Sequence, residues 1–450
     1  MSKSECPNTE DAVAKQFARR HKGKIAYVAD VGEWRIFSGS HWTPAQKGEA
    51  HYHMRLLARE LASRASLDRA SAQRAAGREA FVGGALRFAQ TDPELVLMSG
   101  DFDRDPYLLG TPSGVIELRT GALRATRAGD RIARITSVSP AKTDNCPLFK
   151  AFLQEACGGD PALVRFLAQW FGYNLTGVTT EQVMVFIHGP GGNGKSVLLR
   201  IVCEILGDYA RVANTEMFAA SNFDRHPTEL ARMQGARLVT ATETEGGKGW
   251  AEARIKTVTG GEPITARYMH RDFFTYQPEF KLTIIGNHEP SLLNVDDALR
   301  RRLIIVPFPH KPQCPDTRLF EKLMTELPAI LRWMINGYLD WQAHGLVRPD
   351  VVTAGTNLYF DGQDVFGRWL EEECERTPGD RSRFETPVAL YNSWKRFCEA
   401  EGEAPGTARS FYPRFHKIGM RSERRAKGQR RFEGIKIKRA LATNGQAPRG

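Results

Sequence analysis

The sequence predicts a multidomain α/β chain built around a largely parallel sheet. At 450 residues the chain is too long for one ordinary domain. Between residues 183 and 308, short apolar runs alternate with helical patterns, as they do in βαβ units. The first of these runs, at residues 183–187, leads directly into a glycine-rich turn and then a helix. That order is typical of the carboxyl edge of a parallel sheet, where α/β proteins bind their ligands.

The glycine-rich turn matches the phosphate-loop pattern GxxxxGK[ST]. It reads Gly189-Pro190-Gly191-Gly192-Asn193-Gly194-Lys195-Ser196. Glycines let the backbone fold around phosphates, and the following helix turns its N–H groups toward the anion. Lys195 is expected to reach the β and γ phosphates and Ser196 to hold Mg²⁺, with Val197 also in the nucleotide site. ATP and Mg²⁺ are the expected ligands. The alternative is a glycine turn between strand and helix that binds nothing.

The composition favours a nucleic-acid partner. Lys and Arg number 63 against 52 acidic residues, which gives a net charge of +11, and an excess of positive charge suits a polyanion. The seven cysteines contain no CxxC pair, which indicates reduced thiols and disfavours a zinc site. The first residues lack an apolar signal core, and no stretch approaches the roughly 18 apolar residues of a membrane span. We therefore expect a soluble, cytoplasmic protein that binds no membrane.

The pattern along the chain predicts five segments. Residues 1–145 combine short strand-like runs with an Ala-, Leu- and Arg-rich helical stretch and are expected to form a small α+β domain. Residues 146–345 contain the alternating pattern of the ATPase core. Residues 346–363 are weakly patterned and are interpreted as a linker. Residues 364–440 form a last domain, and residues 441–450 a disordered tail.

The last domain has the pattern of a winged-helix DNA-binding domain. Three amphipathic helical stretches precede a basic hairpin. Arg424, Arg425 and Lys427 in this hairpin are the candidate DNA contacts. A basic surface without a ligand is the alternative.

Polar side chains follow two further apolar runs of the core. Glu243 and Glu245 come after the run at residues 237–242, and Asn287 after the run at residues 280–286. An ATPase needs an acidic residue at a strand end to hold Mg²⁺ or to position water, and an amide can orient that water. Glu243 is the first candidate for the catalytic carboxylate and is also the candidate metal ligand. Glu245 is the second candidate for the catalytic carboxylate. The alternatives are that the acidic residues lie in a solvated loop and that Asn287 only forms a turn.

Three arginines precede the last apolar run of the core. Arg302, and after it Arg301, are candidates for a cationic finger that acts on the ATP site of a neighbouring subunit. The alternative is that these arginines only interact with the dipole of the preceding helix.

The order of these motifs resembles superfamily 3 helicases, specifically the phage and plasmid primase-helicases related to the poxvirus replicative helicase-primase. In the core, the resemblance rests on Asn193 within the phosphate loop and on residues 230–231, 235–239, 255–256, 259–262, 264–267, 286–290 and 301–303. It extends to the front of the chain through Tyr27, Trp34, Gly39, Trp42 and residues 102–103 and 113–121.

This resemblance implies an AAA+-like ATPase core that assembles into a ring hexamer with ATP bound between subunits. A hairpin at residues 267–274 would grip single-stranded DNA in the channel, with His270 and Arg271 at its tip; packing at a subunit surface is the alternative. Lys256 would contact the nucleotide of the adjacent subunit, although one Lys on a helix is usually only solvated.

The predicted function is that of an ATP-dependent replicative DNA helicase of a phage, prophage or plasmid in a bacterial cell. Single-stranded and origin DNA, identical subunits, and a separate primase or host replication proteins are the expected partners. A bifunctional helicase-primase is one alternative. The resemblance, however, implies that Asp101 and Asp103 belong to a turn before a strand rather than to a metal site, and no primase-sized region is free before the helicase core. An ATP-dependent DNA-binding replication initiator is the other alternative.

Overall fold

The computed structural model describes residues 9–65, 69–218, 228–242, 249–269, 272–292, 296–377, 379–402, 405–420, 422–424 and 430–438. The chain divides into two compact units. The first comprises Met1–Ser291 and Asp297–Thr356, and the second comprises Leu292–Asp296 and Asn357–Gly450.

The first unit begins with a helical layer against a small sheet. Its elements are α1 (Glu10–His21), β1 (Ile25–Val28), β2 (Glu33–Phe37), β3 (Trp42–Pro44), α2 (Glu49–Ser63), α3 (Arg69–Ala76), α4 (Glu79–Ala89) and β4 (Val96–Leu97). Helix α1 begins where the Thr9 hydroxyl accepts a hydrogen bond from the Ala12 amide. The strand order is β3-β2-β1-β4, and Phe17, Met54 and Val82 pack in the core beneath it. This arrangement confirms the α+β character expected for the front of the chain.

A three-stranded antiparallel meander follows. It consists of β5 (Leu108–Thr111), β6 (Gly114–Glu117) and β7 (Ala122–Arg124) in sequential order. Only glycine fits at position 110, because a Cβ there would lie 2.4 Å from the carbonyl oxygen of Arg134.

The core of the first unit is a five-stranded sheet with helices on its faces. In chain order the elements are α5 (Pro147–Ala156), α6 (Pro161–Tyr173), β8 (Met184–His188), α7 (Lys195–Leu206), β9 (Ala210–Val212), α8 (Thr228–Ala231), β10 (Leu238–Thr242), α9 (Glu252–Thr259), β11 (Ile264–Arg267), β12 (Phe273–Tyr276), β13 (Lys281–Gly286), α10 (Asp297–Arg300), β14 (Leu303–Pro307), α11 (Leu319–Met324), α12 (Leu327–His344) and α13 (Asp350–Gln363), of which residues 350–356 belong to this unit.

All neighbouring strands of this sheet are parallel, and their order is β14-β8-β13-β10-β9. The prediction of a parallel core sheet is therefore confirmed. Strand β8 lies between β13 and β14, and its last residue, His188, is in register with Gly286 on one side and Pro307 on the other. Three strands thus end side by side, and the chain segments that follow them meet at one edge of the sheet.

Most of the segment interpreted as a linker is helical. Helix α13 covers Asp350–Gln363, and Val352, Thr356, Tyr359 and Phe360 are buried along it. These positions follow helical spacing, but glycines and threonines between them weaken the apolar pattern. The Thr356 hydroxyl also donates to the Val352 carbonyl and accepts a hydrogen bond from the Ile305 amide, which ties α13 to the edge strand β14. The division between the two units falls within this helix.

The second unit has an aromatic core. Its elements are α14 (Val365–Glu373), β15 (Cys374–Arg376), β16 (Phe384–Glu385), α15 (Pro387–Glu401), α16 (Ala408–Lys417), β17 (Ser422–Arg424), β18 (Arg430–Glu433) and β19 (Ile435–Ile437). Strands β15 and β19 pair, and the other three are ordered β16-β18-β17. Trp394, Phe411 and Phe415 pack edge to face against Phe366, and the Trp369 ring is tilted against it. Strands β17 and β18 form the basic hairpin, and the tail at 441–450 lies outside the described residues.

Across the described ranges, no helix is both long enough and apolar enough to cross a membrane.

Candidate functional site

The glycine loop, residues 189–194, connects β8 to α7 at the carboxyl edge of the sheet. Two of its glycines, Gly192 and Gly194, have φ angles of 79° and 87°, which favour glycine. Gly194 has a second requirement, since a Cβ there would lie 2.5 Å from the ring of Phe152. The loop therefore has a shape that other residue types would distort.

The start of α7 is open to an anion. The helix begins at Lys195, its N-cap is Gly194, and in the described structure no side chain caps its first N–H groups. Ser196, in the first turn, is exposed, and Val197 beside it is half-buried. An uncapped helix N-terminus behind a glycine loop provides N–H donors and a favourable dipole for phosphate.

Lys195 is folded back onto the glycine loop. Its Nζ donates to the Gly189 carbonyl at 2.6 Å, the Pro190 carbonyl at 3.0 Å and the Asn193 Oδ1 at 2.9 Å. The side chain is buried, and this burial lowers the pKa of Lys195. Three neutral acceptors hold the ammonium group where a phosphate oxygen would compete for it.

Asn193 links Lys195 to the end of β14. While its Oδ1 accepts from Lys195, its Nδ2 donates to the Phe308 carbonyl at 2.5 Å. The loop is thus attached by a side chain to the chain segment that follows the neighbouring strand.

Asn287 lies beside the loop, as the sequence predicts. Its Nδ2 is 3.7 Å from the position that a Cβ of Gly191 would occupy. Its backbone carbonyl lies 3.2 Å from His188 Nε2, and His188 Nδ1 is 3.5 Å from Glu289 Oε1. The residue after β13 is therefore held against the residue that ends β8.

Arg302 lies at the opposite edge of the sheet from its own glycine loop. Its carbonyl accepts from the Met184 amide at the start of β8, whereas the loop follows the end of that strand. Five strand residues separate the two edges, about 17 Å at 3.3 Å per residue, which is farther than an arginine side chain reaches. Nε and Nη1 of Arg302 are buried and have no hydrogen-bond partner among the described residues. Arg301, in contrast, is exposed.

Lys256 is close in sequence to the turn that faces Arg302. It lies half-buried in the last turn of α9, four residues before Gly260. Arg302 Nη1 is 3.9 Å from the position of a Cβ on Gly260. The structure therefore brings Asn287 to the glycine loop. It places Arg302 away from that loop, near the end of the helix that carries Lys256.

The segment expected to contact DNA forms a hairpin. Strands β11 and β12 are antiparallel, with Arg267 opposite Phe273. The Arg267 guanidinium lies 4.8 Å from the centre of the Phe273 ring, and Met269 and Phe273 are 71% and 61% exposed. His270 and Arg271 lie outside the described residues.

Several other candidate residues also fall outside the described ranges. Strand β10 ends at Thr242, so Glu243 and Glu245 lie just beyond the described part of the chain. The sheet order puts this strand end next to that of β13. In the second unit, Arg424 ends β17 and pairs through its backbone with Arg430. The Arg424 side chain and the whole of Arg425 and Lys427 are outside the described structure.

The two aspartates considered for primer synthesis make local structural contacts. Asp103 bonds Arg134 Nη1 at 2.8 Å and the Ala133 amide at 2.9 Å, and Asp101 accepts from the Met98 amide. Within the described ranges, no group of three or more His, Cys, Asp or Glu side chains is placed to hold a metal ion.

Three residues near the glycine loop were not singled out from the sequence: His188, Phe308 and Lys311. No motif marks them, and Phe308 acts through its carbonyl group. The signal that reveals them is strand order, because only the placement of β14 beside β8 brings residues after 307 to the loop.

Two family models match the chain. The one described as D5 N terminal like matches residues 14–158, and a family of unknown function (DUF5906) matches residues 187–302. Putative helicase L207/L206 of Acanthamoeba polyphaga mimivirus is 26% identical over 332 residues, which cover 68% of this chain and 34% of that protein. Putative helicase 022R of Frog virus 3 (isolate Goorha) is 24% identical over 259 residues, covering 52% of this chain and 26% of that protein.

The chain thus spans about a third and about a quarter of the lengths of these two relatives. Among solved structures, the apo structure of the NrS-1 C-terminal region has a TM-score of 0.53 at 9% identity, covering 96% of this chain and 100% of that chain. An A form apo structure of the same region has a TM-score of 0.52 at 9% identity, covering 94% and 98%. At these identities the likeness shows a shared fold.

The fold and the candidate site define a multidomain α/β chain with a glycine loop at the edge of a parallel sheet. In sequence, the chain is similar to viral putative helicases, and its front matches the D5 N terminal like family. The resemblance seen in the motifs is confirmed.

Proposed function

We propose that this chain is an ATP-dependent DNA helicase of the superfamily 3 type that moves along single-stranded DNA as a ring hexamer in phage, prophage or plasmid replication. The observation that carries the proposal is the meeting of the glycine loop, the open start of α7 and Asn287 at one edge of the parallel sheet. The naming of two sequence relatives as putative helicases supports the same reaction class.

The residues present fit ATP. The backbone N–H groups of the exposed Gly191 and Gly192, together with the uncapped N–H groups of α7, are donors suited to phosphate oxygens. Lys195 is within the loop, and its hydrogen-bond acceptors among the described residues are all neutral, so a γ or β phosphate, which is charged, can replace them. The amide of Asn287 would orient the attacking water.

Ser196 would hold Mg²⁺ together with Glu243. The Ser196 hydroxyl is exposed in the first turn of α7, as such a ligand must be, and β10 would carry the carboxylate at its end. When bound, the ion neutralises charge on the β and γ phosphates.

The proposed site is shared between subunits. Arg302 cannot reach the loop of its own subunit, and two nitrogens of this half-buried residue, Nε and Nη1, have no hydrogen-bond partner among the described residues. Buried N–H groups without an acceptor are unfavourable, and the phosphates of a nucleotide bound to an adjacent subunit would supply one. Lys256 would add a second contact from the same subunit.

DNA would be held by the β11–β12 hairpin, through the cations at its tip and the exposed Met269 and Phe273. Cations meet the backbone phosphates, and exposed aromatic rings stack on unpaired bases. The basic hairpin of the second unit would form the wing of a winged-helix domain that binds origin DNA.

The test is the rate of ATP hydrolysis with and without single-stranded DNA. We expect DNA to stimulate hydrolysis, Lys195→Ala to abolish it, and Arg302→Ala to lower the rate on the order of 10³-fold, as loss of an arginine finger does. Arg301→Ala, an adjacent exposed arginine, is the matched control and should cost far less.

Hydrolysis that ignores DNA, or that survives Arg302→Ala, would refute the shared-site helicase. ATP-dependent assembly on DNA without strand displacement would favour the initiator instead. Primer synthesis on a bare template would favour the bifunctional helicase-primase.

A further inference from the structure

We propose that Lys311 is a second cation of the nucleotide site and contacts the phosphate chain from the outer side of the glycine loop. This inference rests on the proposed ATP site. It adds a residue that belongs to none of the motifs and lies after the last strand of the sheet.

The segment from Phe308 to Lys311 runs along the glycine loop. The Phe308 amide donates to the His188 carbonyl at 2.7 Å, and its own carbonyl accepts from Asn193. A Cβ on Gly189 would lie only 2.1 Å from that carbonyl oxygen, which shows how closely the two backbones approach. The start of the segment is thus fixed by two hydrogen bonds, one to the end of β8 and one to the loop.

Three residues later the same segment reaches the middle of the loop. The Cε atom of Lys311 lies 3.4 Å from the position of a Cβ on Gly192. Both residues are exposed, and Gly192 has the positive φ that turns the loop backbone. The ammonium group is one bond beyond Cε, so it is adjacent to the backbone that would surround the phosphates.

The charge of Lys311 is available for a ligand. Lys311 forms no ion pair and no hydrogen bond within the described part of the chain, whereas its neighbour His310 is 3.8 Å from Glu155. Lys195 is buried and bonded to the loop from within. A bound nucleoside triphosphate carries several negative charges, and a flexible, hydrated ammonium at the loop surface would meet them as a point charge.

The two lysines would therefore have different roles. Lys195 replaces its loop contacts with the terminal phosphates, while Lys311 closes over the exposed side at Gly192. A hydrogen bond to a charged group contributes about 1.5 kcal/mol or more, which corresponds to roughly a tenfold change in affinity. The effect should grow with the number of phosphates on the ligand.

The experiment measures the dissociation constants of ATPγS, ADP and adenosine for the full chain and for Lys311→Gln, Lys311→Arg and Lys142→Gln. Lys142, an exposed lysine before α5, provides the same change of charge. We expect Lys311→Gln to weaken ATPγS binding about tenfold, ADP less, and adenosine not at all. Lys311→Arg should restore most of the affinity, and Lys142→Gln should bind like the parent chain.

Equal binding of ATPγS by Lys311→Gln and the parent chain would overturn the inference and leave the proposed function intact. An equal loss for adenosine would also overturn it, because the effect would then be on the fold rather than on phosphate. If the parent chain binds no nucleotide, the proposed ATP site fails, and the role of Lys311 fails with it.

Discussion

His21 is a half-buried histidine at the end of α1, and its surroundings disfavour the charged form. Its ring lies 4.4 Å from the Phe17 ring and 5.6 Å from the His53 ring. Burial, the neighbouring His53, and the charges of Arg20 and Lys24 together lower the pKa of His21 from 6.5 to about 4. The folded chain therefore keeps this side chain neutral in a pH range where the unfolded chain protonates it.

Stability should therefore fall as the pH is lowered from about 6.5 to about 4. In this window the unfolded state binds a proton that the folded state does not, so acid favours unfolding. We expect His21→Gln to remove about 1–2 kcal/mol of this acid sensitivity, after allowance for solvent screening. Chemical unfolding of both proteins across this range measures it, and an equal acid-induced loss in the two would contradict the prediction.

Asn193 illustrates what a motif conveys about a residue and what it leaves out. The sequence places it in the phosphate loop and in the family resemblance, because both depend on spacing alone. Its two bonds, to Lys195 and to the Phe308 carbonyl, depend on β14 lying next to β8. Strand order is set by the packing of the whole sheet, and no local pattern in residues 189–196 encodes it.

Among the elements, helices α6 and α12 cross at a contact that only glycine permits. A Cβ on Gly337 would lie 2.0 Å from the Ala168 carbonyl oxygen, and a Cβ on Gly172 would lie 2.2 Å from the Tyr338 amide nitrogen. Each backbone thus fills the space where the other would carry a side chain. Asp340 of α12 adds bonds to Arg165 and Gln169 of α6 at this crossing.

We expect Gly337→Ala to destabilise the first unit by about 3 kcal/mol, since the added methyl group must push two rigid helices apart. Urea unfolding followed by tryptophan fluorescence measures the effect. Gly362→Ala is the matched control: Gly362 also lies in a helix, but a Cβ added there would have no neighbouring atom within 4 Å. The control should be neutral or gain up to about 1 kcal/mol from helix propensity. Similar losses in both variants would refute the packing argument.

The elements themselves could be predicted where their pattern was strong. The buried strands of the sheet and helices α5 and α6 follow from apolar runs and spacing. Helix α13 could not, because Gly355 interrupts its apolar pattern and the buried Thr356 is a polar residue that bonds to β14. The hairpin β11–β12 was expected from the family resemblance, and its pairing of Arg267 with Phe273 became visible only in the structure.

At the scale of the whole molecule, Arg237 shows why the front of the chain and the sheet form one unit. It precedes β10 and is 1% exposed. Its Nη1 donates to the Leu175 carbonyl at 2.5 Å and its Nη2 to the Leu108 carbonyl, in β5, at 2.8 Å. Its guanidinium also lies 4.5 Å from the centre of the Tyr209 ring. From the sequence, Arg237 is only one residue of a family motif; that its side chain joins two regions far apart in sequence depends on the tertiary fold.

The position of Arg302 leads to a prediction about assembly. Because the glycine loop and Arg302 lie at opposite edges of the same sheet, the proposed site would combine the loop of one subunit with the arginine of the next. Such a head-to-tail contact closes into a ring when the rotation between subunits permits. Lys195→Ala removes one half of each site and Arg302→Ala the other, so each variant alone should hydrolyse almost no ATP.

Mixing the two inactive variants in equal amounts should restore activity. In a mixed ring, a productive interface needs an intact Lys195 on one side and an intact Arg302 on the other. When the two variants occupy the ring at random in equal amounts, about a quarter of the interfaces have this combination. We therefore expect up to about a quarter of the parent rate if the sites act independently, and less if they must act in sequence. The mixture must be allowed to exchange subunits, and a mixture of Lys195→Ala with Lys195→Met provides the control that cannot complement. Activity no higher than that control, in rings shown to contain both variants, would mean that Arg302 does not complete the site of its neighbour.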